Sequence, residues 1–283
     1  MKRFFSVIIL GALLLLGTSA PIEAADYGRD VLGSKDGWGA YGKGTTGGAD
    51  ASSDQVYTVK NRKQLVEALG GDNKKNSEND TPKIIYVKGT INLSNQKERV
   101  LIRVGSNTTI IGLGDDAKIV GGGLYVKNAE NVIIRNIEFE NAYDFFPGWD
   151  PTDGSSGNWN SEYDNLLIEM SKNIWIDHCS FNDGDQPDEL TETHFGREFQ
   201  HHDGLLDIKK QSDFITVSYS IFSGHSKNTI IGSSDSYKAD NGHLRVTFHH
   251  NLYENIKERA PRVRYGKVHI YNNYFKSTKD SYN

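Results

Sequence analysis

Apolar positions recur along this chain with two periods, one inside short segments and one between them. Five segments carry an apolar pair spaced by two, then a polar position, then an aromatic: Val132/Ile134 with Phe139, Ile174/Ile176 with Phe181, Ile215/Val217 with Phe222, Val246/Phe248 with Tyr253, and Val268/Ile270 with Phe275. In each, the pair stands seven and five residues before its aromatic. The aromatics are 42, 41, 31 and 22 residues apart, so the shortest interval is about one coil and the longer ones need an extra coil or inserted loops. Alternation at period two makes the segments strands, and aligning their cores requires stacking in one direction. The expected fold is an all-β solenoid, a parallel β-helix.

Two residues before the aromatics stand Ile137, Cys179, Ser220, Asn251 and Asn273. Asparagines at equivalent turns can hydrogen-bond their own kind along the axis, satisfying amides whose unpaired burial costs about 1 to 3 kcal/mol each. A simple turn preference of Asn is compatible with the same spacing. Upstream, Asn61 to Leu69 reads as a short amphipathic helix with Leu65, Val66 and Leu69 on one face, suited to capping the first coil. At the other end the sequence stops at Asn283 soon after the fifth segment, with no recognisable cap. The expectation is therefore a helix with its C-terminal coils missing, exposing strand edges and prone to aggregate or unfold.

Residues 1–24 read as a secretory signal peptide: Lys2 and Arg3, the apolar run Phe4 to Leu16, then small residues at Ala24 and Ala25 for cleavage. That run is too short for the roughly 20 residues that span a bilayer. Residues 25–283 are expected to form one domain, since no linker or charge block divides them. The full chain has 32 basic and 37 acidic residues; without Lys2, Arg3 and Glu23 it has 30 and 36, a net charge of −6, which argues against a nucleic-acid partner. The single cysteine, Cys179, lies in an apolar strand pattern and is expected to be buried rather than nucleophilic. Asn107-Thr108-Thr109 matches a glycosylation sequon.

Charged residues concentrate in three strand-adjacent regions: Glu162-Tyr163-Asp164, His201-His202-Asp203 running on to Asp207, and Arg259-Ala260-Pro261-Arg262-Val263-Arg264. Hard carboxylate oxygens without thiolates favour calcium or magnesium over zinc. Two other readings stand beside this one: a zinc site using His201, His202, His249 or His250, and plain solvated carboxylates. The arginines suit a polyanionic ligand, because guanidinium pairs with carboxylate in bidentate fashion, or an ion-pair patch with acidic loops.

Trp175-Ile176-Asp177-His178, the arginine segment, and the opening Gly39-Ala40-Tyr41-Gly42-Lys43-Gly44-Thr45-Thr46-Gly47-Gly48 together resemble the bacterial pectate lyases that adopt the right-handed parallel β-helix. The likeness runs from about Asp36 onward. It implies calcium held by Asp164, Asp203 and Asp207, Arg259 as catalytic base, and Lys227 and Arg264 as substrate-binding cations. Asp177 and His178 would be supporting residues. The implied protein is a secreted, extracellular monomer that cleaves α-1,4-polygalacturonate by β-elimination to 4,5-unsaturated oligogalacturonides, with neither membrane nor nucleic acid as partner. A free arginine keeps its proton far above neutral pH, so for an arginine base neighbouring cations must disfavour its charge, and activity is expected to favour alkaline pH.

Three rivals frame that expectation. A pectin lyase shares the fold without calcium, a polygalacturonase hydrolyses the same polymer with close-set carboxylates, and a wall-binding β-helix has no activity.

Overall fold

The computed structural model describes residues 26–153, 155–187 and 192–276, so the expected leader lies outside the described residues. The chain winds into a parallel β-helix whose coils contribute strands to three stacks. The first stack holds, among others, Glu130–Arg135, Lys172–Asp177, Asp213–Ser218, Arg245–His249 and Lys267–Tyr271. The second holds Glu138–Glu140, Ser180–Asn182, Ile221–Lys227, Leu252–Glu258 and Tyr274–Lys276. The long strands Lys83–Asn92 and Thr108–Val120 run through both stacks and join them into one sheet. The third stack is a separate sheet: Leu101–Val104, Gly123–Lys127, Leu166–Glu169, Leu206–Lys209, Ile230–Ile231 and Arg262–Val263.

The repeat read from the sequence is the register of these stacks. Val132, Ile174, Ile215, Val246 and Val268 are direct partners in turn. Phe139, Phe181, Phe222, Tyr253 and Phe275 are likewise partners, with ring centroids 4.7 to 5.1 Å apart and planes within 12° of parallel. Each is therefore one coil from the next, and the long intervals hold loops rather than an extra coil. Two of those loops build a small outlying sheet of Gly148–Asp150, Asn158–Asn160, Glu192–His194 and Arg197–Phe199.

The polar ladder also forms. Ser220 N donates to Asn251 Oδ1 at 2.9 Å, and Asn251 Nδ2 donates to Asn273 Oδ1 at 2.9 Å and to Val217 O at 3.1 Å. Cys179 sits in the same column, 1% exposed, with burial pushing its thiol up to about 12, which removes the nucleophile reading. The capping helix is Arg62–Leu69, its first turn closed by Asn61, whose Oδ1 accepts from Gln64 N at 3.0 Å. Leu65, Ala68 and Leu69 are buried, and Val66 packs at the edge of that core.

The glycine-rich opening segment lies flat on the first stack. Thr46 N and Gly47 N donate to Asn131 Oδ1 at 2.7 and 2.8 Å, Gly48 N to Thr109 Oγ1 at 2.8 Å, and Gly39 N to Thr216 Oγ1 at 2.9 Å. A Cβ on Gly48 would stand 1.9 Å from Lys83 O, so only glycine permits this approach.

Phe181 is fully buried between two rings of its own column. Phe181→Ala is expected to destabilise the protein by about 3 to 5 kcal/mol in urea unfolding, with the remaining fold retained.

Candidate active site

The corner where the second stack turns into the third collects the charged residues. Asp164 and Asp203 stand in turns leading into third-stack strands, and Asp207 lies in the strand Leu206–Lys209. Stacking aligns these turns: Asn165 N donates to Gly204 O at 3.3 Å, Leu205 N to Asn228 O at 2.8 Å, and Asn228 N to Glu258 O at 3.1 Å. Residues about forty positions apart are thereby separated by one coil rise, roughly 4.8 Å.

The three carboxylates meet, each offering an oxygen within 4.8 Å of the others. Asp164 and Asp207 are 1% exposed, while Asp203 keeps part of its surface open. Asp164 Oδ1 accepts from Gly204 N at 2.7 Å, and Asp207 Oδ1 from Ile230 N at 3.0 Å. Burial, then the Asp207 charge, raises the pKa of Asp164 well above the usual carboxylate value, and the same two causes raise Asp203. Lys209 answers them, its Nζ 2.6 Å from Asp207 Oδ2 and 4.0 Å from Asp164 Oδ2. Burial opposes the Lys209 charge, but attraction to Asp207, Asp164 and Asp203 outweighs it and raises the pKa.

This donor set fits a hard divalent cation. Three carboxylates against one ammonium leave two formal negative charges, and no thiolate or imidazole joins the group. Gly204 keeps the cradle open: a Cβ there would stand 2.4 Å from Asp207 Oδ1 and 2.8 Å from Asp164 Oδ1. The zinc reading fails among the described residues, because the candidate histidines face other partners. His201 Nδ1 is 2.7 Å from Asp144 O, His202 Nε2 is 2.8 Å from Gln186 O, and His249 lies between Asp36 and His250.

Cations stand on the next coils. Lys227 closes the strand Ile221–Lys227 and pairs in register with Glu258, while its Nζ reaches Gln200 Oε1 and, at 3.4 Å, Asn160 Oδ1. Arg259 follows, its carbonyl accepting from Thr229 N at 2.8 Å, so its turn lies two coils from that of Gly204, roughly 10 Å. Its backbone is held at φ 61°, in the left-handed region that non-glycine residues occupy at a cost of about 1 to 3 kcal/mol. The Arg259 side chain is 18% exposed, and its buried Nε makes no hydrogen bond, with Glu258 Oε1 3.8 Å away. Lys227 and Arg259 both act electrostatically on Asp203. Arg264 has Nε 2.6 Å from Asp235 Oδ1, so part of the arginine segment serves an ion pair with a loop, while its Nη1 is buried without a partner.

A family profile described as pectate lyase matches residues 1–283. The chain belongs to the pectate lyase family. It is 47% identical to a pectate lyase of Bacillus subtilis (strain 168), covering 97% of this chain and 76% of that protein. Against pectate lyase E of Dickeya dadantii (strain 3937) it is 43% identical, covering 84% of this chain and 59% of the relative. A solved pectate lyase bound to hexasaccharide is 48% identical with a TM-score of 0.83, covering 89% of this chain and 74% of that one.

Two family-signature residues lie apart from the carboxylates, in the first stack and its turn. Asp177 is buried, accepting from Ser218 Oγ at 2.6 Å and from Arg135 Nε at 2.9 Å, with His178 Nδ1 at 2.7 Å. His178 stacks on Tyr219 with centroids 5.1 Å apart. Their contacts hold the turn together. Lys209, Gly204, Asn160 and Gln200 were not identified from the sequence; only Lys209, two residues after Asp207 and so on the same strand face, had a signal that could have found it.

Gly204→Ala is expected to force the carboxylates apart and lower stability by about 1 to 3 kcal/mol in thermal unfolding. Gly148→Ala, where a Cβ meets nothing within 4 Å, should leave it unchanged.

Proposed function

We propose that this chain is a secreted, monomeric, calcium-dependent pectate lyase that cleaves polygalacturonate by β-elimination. The observation that carries the reading is the convergence of Asp164, Asp203 and Asp207 around the open space at Gly204, with Lys227 and Arg259 on the next coils. The substrate follows from its relatives' names and from the hexasaccharide complex of a family member. Export is supported by the leader pattern, and no helix among the described residues is long and apolar enough to cross a membrane.

Asp164, Asp203 and Asp207 would hold the calcium ion. Bound there, it supplies positive charge that draws electron density from a uronate carboxylate and acidifies the adjacent C5 proton. Lys227 and Arg264 pair with substrate carboxylates and hold the chain in register. Arg259 takes the C5 proton; the C5–H electron pair becomes the C4–C5 double bond. The C4–O4 bond breaks in turn, and the departing oxygen takes a proton from solvent. A bound metal ion together with the short basic strip would reverse the local potential of an acidic protein, which is the scale that matters for a polyuronate.

With polygalacturonate, absorbance from the unsaturated product is expected to rise, stop on adding a chelator, and return with calcium. A chelator-resistant rise would indicate the pectin-lyase alternative, and no rise would remove lyase activity. Arg259→Lys should lower turnover by about 10²- to 10⁴-fold at alkaline pH; full turnover would exclude Arg259 as base.

The raised pKa values of Asp164 and Asp203 add a stability signature. Without metal, a raised carboxyl favours the folded state at low pH and loses that contribution as pH rises through the folded value. Calcium removes the penalty. The gap in melting temperature between calcium-loaded and chelated protein should therefore widen from about pH 4 to about pH 8 in differential scanning fluorimetry.

A further inference from the structure

Beneath the acidic trio lies a second polar group that neither the proposed metal site nor the cations account for. His225 is 3% exposed and Asp183 is 2% exposed. The His225 Nδ1 is 2.8 Å from Asp183 Oδ2 and 3.0 Å from Oδ1, while Nε2 is 2.7 Å from the backbone oxygen of Asp203. A backbone carbonyl only accepts, so Nε2 carries a proton and donates to Asp203 O, while Nδ1 faces the Asp183 carboxyl group. Burying such a ring is costly unless both nitrogens are paired, and Asp183 pairs the second.

The chain on the other side of Asp203 is fastened to the same hub. His202 is 5% exposed, with Nδ1 3.2 Å from Ala142 O, Nε2 2.8 Å from Gln186 O, and Asp183 Oδ1 3.8 Å from Nδ1. The peptide that carries Asp203 is thus gripped before and after its side chain. His225 also lies two residues before Lys227 on one strand, so a single strand sets the height of the Asp203 turn and delivers the cation beside it.

We propose that Asp183 and His225 form a positioning pair: the imidazole, oriented by Asp183, fixes the Asp203 turn so that its carboxylate converges with those of Asp164 and Asp207. The inference rests on the calcium reading above. His225 acts on the site through the Asp203 backbone oxygen, so it is a positioning residue whose effect reaches the reaction through Asp203. An outer partner of this kind typically changes metal affinity by roughly 10- to 100-fold when removed.

The test is calcium titration of the full chain by isothermal calorimetry, with no substrate, at a temperature where every variant is folded by circular dichroism. His225→Gln keeps a donor at the place of Nε2 and should bind calcium nearly as the parent does. His225→Asn keeps only the Nδ1 side and should bind roughly 10- to 100-fold more weakly. Val132→Ala, in the core beneath the first stack, controls for general loss of stability and should leave affinity unchanged. Equal affinity for parent, Gln and Asn variants overturns the positioning role, provided that Asp207→Asn abolishes binding. No calcium binding by the parent, or none lost in Asp207→Asn, overturns the calcium reading and this inference with it. If His225→Asn does not fold, Asp183→Asn decides: weakened binding supports the pair, and parent-like binding overturns it.

Discussion

Everything in this molecule depends on coil-to-coil register. Parallel backbone ladders fix the rise between coils at roughly 4.8 Å, and each side chain then meets the residue at the same position one coil away. The ring column from Phe139 to Phe275 expresses that constraint in the core, and the Ser220–Asn251–Asn273 ladder expresses it in buried polar groups. A one-residue slip would turn the core column outward and break both together. The same rise brings Asp164 and Asp203, from different coils, to one metal-sized space, with Asp207 contributed by the strand that follows.

Such a site is electrostatically expensive without a cation. Three carboxylates share a corner from which water is largely withdrawn, and Lys209 offsets only part of their repulsion. The fold holds them there with rigid parts: backbone amides of Gly204 and Ile230, and strands whose inner faces are packed in the core. Rigidity of this kind suits a hard ion bound by a few charged ligands, since little ordering remains to be done when the ion arrives.

The spacing of apolar pairs and aromatics made the coil stack legible, because each coil repeats the same core requirement and leaves it in the sequence. The amphipathic helix before the first coil and the convergence of Asp164, Asp203 and Asp207 were legible too, the latter through resemblance to pectate lyases rather than through spacing, whereas the Asn61 cap of that helix was not read. Other features left no such mark. Ser171 and Ser212 form a second ladder, with Ala129 N donating to Ser171 Oγ at 3.1 Å and Ser171 N to Ser212 Oγ at 3.3 Å, yet serine is too common in turns to stand out. Asp183 and His225 are 42 residues apart and join only because loops of particular length bring their coils into line. Gly204 is one glycine among 29, and only the neighbouring carboxylates reveal why it must lack a side chain.

The turn between the first and second stacks explains why a signature segment can lie away from the chemistry. Asn136, His178, Tyr219, His250 and Asn272 all occupy the left-handed region, with φ from 48° to 56°, one in each successive coil. Each costs backbone energy that glycine would avoid. The cost is offset along the column, where His178, Tyr219 and His250 stack at 5.1 and 4.8 Å and each backbone N–H donates to the next coil. Asp177 ties this turn to Ser218 and Arg135, and Ser218 Oγ in turn accepts from Trp175 Nε1 at 2.9 Å. Misplacing this bend would shift where every following strand of the second stack begins. Lys227 and Glu258 end two of those strands, so the geometry of the cationic side of the site is set by a turn that contributes no group to it.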